Sequence, residues 1–101
     1  TGPIVAHVRP EMRLGDLGHD LGNRTIIAAT HALARAAAVH AAGRLPRVAQ
    51  EGAGRVYYRK DFTADAVRRA QENFRTGMIE EYLADRARRD AALSLVALPA
   101  E

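Results

Sequence analysis

GDLGHDLGNRTIIAATHALARAAAVHAAGR, residues 15–44, decides how the chain is organised. Leu17, Leu21, Ile27 and Leu33 recur at helical intervals through a run of alanines, and Gly43 supplies the left-handed stop, so the spacing predicts one helix from Leu17 through Ala42. Asp16 is the expected N-cap, because its carboxylate can accept from the free amides of the first turn, and Asp20 with Arg24 has i,i+4 spacing. The apolar arc through Ile26, Ile27, Ala28, Ala29, Leu33 and Ala34 is wide, which predicts packing on more than one neighbour, as for a helix laid against a sheet.

Before this helix, Pro3 to Arg9 is rich in β-branched residues and alternates weakly, so it reads as a short strand that Pro10 confines to an edge or an end. After it, residues 44–54 shift to Pro, Gln, Glu and Gly and form a connector, and 55–59 have the composition of a brief extended stretch. Thr63 is an N-cap with Phe62 placed to staple onto Val67. The helix it starts carries Ala66, Val67, Ala70 and Phe74 inward and breaks at Thr76-Gly77. A second run follows with Met78, Ile79, Tyr82, Leu83 and Ala87 on one face, and the apolar tail 93–99 is expected to lean on a neighbouring surface or to fray.

Composition narrows the function classes. With 101 residues one modest domain, or part of one, is expected. Apolar residues make up 48% but aromatics only 5%, so the core is expected to consist of small, closely approaching helix surfaces. The net charge of +3 permits anionic partners without requiring them. The absence of cysteine excludes disulfides and thiolate metal sites. No apolar run approaches the roughly 18 residues of a membrane span and no targeting pattern opens the chain, so no membrane partner and a cytoplasmic address are expected.

His31 and His40 lie nine positions apart on one helix, half a turn out of phase, and do not converge on a metal. Gly15 to Gly22 and Gly52-Ala53-Gly54 lack the strand-to-helix glycine order and the Gly-Lys-Ser/Thr ending of a phosphate loop. Arg55-Val56-Tyr57-Tyr58-Arg59-Lys60-Asp61-Phe62 interleaves aromatics with cations, the combination that stacks bases and neutralises phosphate on single strands. Against that stands a half-buried strand with its tyrosines inward, which is favoured because no RNP-type pattern surrounds the segment. No acid/base dyad and no serine elbow is present, so no catalytic residue is assigned.

Thr1-Gly2-Pro3-Ile4-Val5-Ala6-His7 resembles the strand entry of the folate-dependent formyltransferase superfamily, where Asp-x-Gly-Pro-Ile/Val turns into a strand; His7 replaces a commoner Gln. The order continues with Pro10, the Gly15-Asp16 helix opening, the exit at Gly43-Arg44-Leu45, and the connector from Gln50 with Tyr58 to Phe62. This resemblance implies an α/β, helix-rich fold: residues 1–54 as the back-half piece of a Rossmann-like formyltransferase domain and 55–98 as a helical C-terminal extension. It implies transfer of a formyl group from 10-formyltetrahydrofolate, the formyl donor, to an amine on a nucleotide-linked sugar, a purine precursor or an initiator aminoacyl-tRNA. The family's catalytic Asn, His and Asp fall upstream of Thr1, so the upstream part of the same protein becomes a partner and this chain alone is expected to be inactive. Thr1, Gly2 and Pro3 would form one wall of the folate pocket. The alternative is a non-enzymatic α-rich module that dimerises through exposed apolar helix faces or binds nucleic acid through Tyr57 to Lys60.

Overall fold

The computed structural model describes residues 2–52 and 54–100. Among the described residues four helices follow in order: α1 (Gly18–Ala41), α2 (Ala64–Arg75), α3 (Met78–Ala84) and α4 (Arg86–Ala91), with a single 3₁₀ turn at Arg59–Asp61 before α2. No sheet exists among the described residues, so the expected α/β, Rossmann-like architecture is corrected to an α-helical one. The expected strand at Pro3 to Arg9 makes one isolated antiparallel bridge, Ile4 with Val48 (N to O 2.6 and 2.8 Å), and His7 makes a separate backbone bond from its N–H to Val96 O (2.8 Å). Each neighbour meets the segment at a single level. Prolines at 3, 10, 46 and 99 remove the donors that would extend a ladder on either side.

The helix ends follow local chemistry. At the start of α1, Leu17 is extended and the Asp20 carboxylate accepts from its N–H at 2.9 Å. At the end, Arg44 N–H reaches Val39 O (3.0 Å) and Gly43 N–H reaches His40 O (2.9 Å), a Schellman closure that the positive φ of Gly43 (73°) makes possible. Thr63 caps α2 as expected, its Oγ1 accepting from Ala66 N–H at 3.1 Å. Gly77, at φ 101°, turns the chain between α2 and α3. A second interruption at Asp85 separates α3 from α4, so the expected continuous face from Met78 to Ala87 is divided.

Packing is thin. α1 meets α2, α2 meets α3, and α3 meets α4. Among the described residues only Val39 and Ile79 of the apolar side chains are buried, with Asp16 of the polar ones. The side of α1 turned to the protein carries Leu21, Arg24, Ala28, Ala32, Ala36 and Val39, while Ile26, Ile27 and Leu33 stay exposed. The helix is thus turned away from the orientation expected from its largest apolar side chains: without a sheet to cover that arc, the alanine side makes the close approach.

Two polar clusters tie the N-terminal segment to the helices. Asp16 accepts from both Arg24 Nη atoms (2.6 and 2.5 Å) and from Arg13 N–H (2.7 Å), and Arg24 also reaches Glu11 O (2.7 Å). Asp16 therefore fixes the loop before α1 rather than capping the helix, and Arg24 pairs with Asp16 instead of Asp20. The guanidinium holds the Asp16 carboxyl well below its ordinary 3.8, at about 2, against the opposing effect of burial. In the second cluster, Asp90 accepts from Arg9 (3.0 Å) and from Tyr82 Oη (2.7 Å) on one oxygen, joining residue 9 to α3 and α4; both bonds hold its carboxyl down, the tyrosine's more strongly. Of the two expectations for the tail it leans rather than frays at Val96, whose N–H donates to His7 Nδ1 at 2.8 Å.

Candidate nucleic-acid interface

The segment between the connector and α2 is built to stand out from the surface. Gly54 to Tyr58 has no regular structure, and the 3₁₀ turn then closes through the Asp61 carboxylate accepting from Tyr58 N–H at 2.7 Å. That bond, with Tyr58 extended (φ −114°, ψ 167°), fixes the backbone beneath two adjacent aromatic side chains while occupying the nearest carboxylate. Thr63 then starts α2, which sets Ala66 and Arg69 behind the segment.

The expected half-buried strand with inward tyrosines is not formed. Tyr57 is 68% exposed, Tyr58 63% and Phe62 79%. The staple of Phe62 on Val67 is accordingly loose, since a stapling ring would be covered. The Arg55 guanidinium lies 5.1 Å from the Tyr57 ring centre and the Lys60 ammonium 5.8 Å from that of Tyr58, within the range of cation–π attraction. An open cleft of about 490 Å³ runs along Arg55, Tyr57, Tyr58, Phe62 and Arg69. On the other side of Phe62 a more apolar cleft of about 740 Å³ lies between Leu17 and the Val67, Ala70 and Phe74 side of α2.

Charge is distributed unevenly. Residues 55–69 hold five cations against two carboxylates, which equals the whole formal excess of the chain, +3. Within that stretch Arg68 is paired with Asp65, and further along α2 to α4 arginines are neutralised locally: Arg75 by Glu72, Arg88 and Arg89 by Asp85. Among the described residues Arg55, Arg59, Lys60 and Arg69 join no ion pair. Arg35, Arg44 and Arg47 likewise join none, the first two donating to the backbone carbonyls of Pro99 and Ala100, so four of the seven cations without an ion pair among the described residues flank the exposed aromatics.

The positions assigned to a folate pocket sit elsewhere. Thr1 lies outside the described residues; Gly2 and Pro3 are exposed, and Gly2 O accepts from Gln50 Nε2 at 2.6 Å. A Cβ on Gly2 would meet open space, so no close packing among the described residues requires a glycine there. Sequence reasoning identified residues 55–62 but weighted them toward burial; the signal it lacked was that no second strand among the described residues covers the tyrosines.

Comparison with protein-family models, curated proteins and solved structures returns no match for this chain, so the functional reading rests on its own geometry.

Proposed function

We propose that the chain is a non-catalytic module that binds single-stranded nucleic acid on residues 55–62, backed by Arg69 of α2. Bases stack on Tyr57, Tyr58 and Phe62, and Arg55, Arg59, Lys60 and Arg69 neutralise the phosphates between them. The supporting observation is the pairing of solvent-facing aromatic rings with cations that no carboxylate of the chain engages. Every base offers a face for stacking, so the mode favours strand over sequence, and a duplex, whose bases are already stacked, is disfavoured. The formyl-transfer expectation stands on the resemblance alone, because no sheet exists among the described residues to place Gly2 and Pro3 at a strand entry.

The test is fluorescence anisotropy with labelled oligo(dT) and a duplex of equal length across a salt series. Four neutralised phosphates give a slope of log K against log salt of about −3, roughly 50-fold weaker binding at 200 mM than at 50 mM. Tyr58→Ala is expected to weaken binding by about 1–3 kcal/mol, the worth of one stacked base. Equal affinity for duplex and single strand, or a Tyr57→Ala/Tyr58→Ala variant that binds as the parent does, overturns the reading.

A further inference from the structure

We infer that α1 is a self-association helix, and that two copies of the chain pair through it in antiparallel, two-fold fashion. From Gly22 to Ala41 the outward side of α1 presents Gly22, Ile26, Ala29, Leu33, Ala37 and Ala41, all exposed, with Ile26 at 65% and Leu33 at 72%. This side bears no Asp, Glu, Lys or Arg; Arg24 and Arg35 point to the protein, the first to Asp16 and the second to Pro99 O. Thr30, the polar residue at its middle, has its hydroxyl donated to Ile26 O at 2.8 Å, which leaves its methyl outward. A helix whose arginines lie off this face while Ile26 and Leu33 stand exposed on it departs from a solvated surface helix, and such a contiguous apolar face marks an interface.

The occupant follows from the order of sizes along the face. A two-fold axis across the helix between residues 31 and 32 sets Ile26 opposite Ala37 of the second copy, Leu33 opposite Thr30, Ala29 opposite Ala34 and Gly22 opposite Ala41. Each large side chain meets a small one, the arrangement that lets helices interlock at the short end of the roughly 8–10 Å range of axis separations. The polar positions also fall on each other: Asn23 stands opposite His40, an amide facing an imidazole. The ends are complementary in charge, with Asp20 in the first turn and His40 and Arg44 at the last, so an antiparallel pair brings acid to base twice, whereas a parallel pair brings like to like. A symmetric pair needs one patch that complements itself, which this face does.

A folded monomer of 11.0 kDa exposes about 5,600 Å², whereas this chain exposes 8088 Å². That surplus over the whole chain, roughly 2,500 Å², leaves room for the roughly 800 Å² per partner that a stable pair covers. The paired stretch is about 28 Å long at 1.5 Å per residue.

Sedimentation velocity of the chain from 1 to 200 µM tests this, with Leu33→Glu and Ile26→Glu as variants whose side chains are exposed in the single copy and whose helicity is checked by circular dichroism. The expected result is a dimer whose Kd rises at least tenfold in each variant. Because the chain has no cysteine, Ile26→Cys chains mixed with Ala37→Cys chains and joined by a short bis-maleimide test the register: mixed pairs are expected to link at least fivefold more than either alone. A chain that stays monomeric at 200 µM, a dimer that both glutamates leave intact, or preferential linking of like with like overturns the inference. Single-strand binding by residues 55–62 is read separately, so either proposal can fail without the other.

Discussion

At the residue scale, Asp16 shows how a side chain that looks like a cap acquires another task. The sequence places an acid at the right distance from a helix start, and Asp20 lies at an equally suitable position; the tertiary fold decides between them by turning Arg24 inward, where its guanidinium takes Asp16 and leaves Asp20 for Leu17 N–H. Since the folded Asp16 carboxyl titrates near 2 against an ordinary 3.8, its contribution to stability is fully present above about pH 3.8 and is lost as pH falls toward 2. Asp16→Asn is therefore expected to destabilise the chain at pH 7, and the difference from the parent should shrink to nothing in urea titrations taken from pH 4 to pH 2. A difference that persists unchanged at pH 2 would place the effect elsewhere than in ionisation. Thr63 was fully legible, because its cap needs only the three residues that follow it: Thr63→Ala should cost about 1 kcal/mol.

At the scale of elements, residues that act on their own backbone were readable and residues that act through distant neighbours were not. α1 ends within a residue of where its glycine predicted, and Thr76-Gly77 interrupts the helix as its composition implies. Gly77→Ala is expected to lose roughly 1–2 kcal/mol, since a residue with a Cβ resists φ 101°; the new atom would meet Glu80 only at an ordinary 3.7 Å, so the loss is conformational and thermal melts should show it without a change in helix content. The break at Asp85 carries no glycine or proline. There Asp85 N–H turns to Tyr82 O (3.1 Å) and its carboxylate gathers Arg88 and Arg89, next to the Tyr82–Asp90–Arg9 cluster that ties α3 and α4 to the N-terminal segment. The strand at residues 3–9 was misjudged for the same reason in reverse: its local composition is suited to a sheet, and the fold supplies no partner beyond single contacts at Val48 and Val96.

At the scale of the whole molecule, the chain is long for its mass, 45 × 32 × 25 Å, and its radius of gyration of 16.2 Å exceeds the ~13 Å of a compact domain of this size. No helix among the described residues is long and apolar enough to cross a membrane. An extended chain of this mass exposes about 16,000 Å², so folding hides only about half of it. The urea dependence of unfolding is therefore expected at the shallow end, about 1 kcal/mol per molar, with a midpoint that climbs with protein concentration if α1 pairs. A concentration-independent midpoint with a steep slope would mean that the single copy is better packed than its exposed surface indicates.

The Phe74 ring sits 3.6 Å from where a Cβ would stand on Gly18, the first residue of α1, and so anchors α2 and the aromatic segment before it to one end of a rod about 36 Å long. In a two-fold pair that anchoring sends the two aromatic segments to opposite ends. If residues 55–62 bind single strands as proposed, a short oligonucleotide would engage one end and gain nothing from the second, while a strand able to bridge the rod would be held twice, its second attachment occurring at the high local concentration the first creates. Affinity should accordingly rise in a step with strand length, which would make the paired chain a gauge of how much single strand is available.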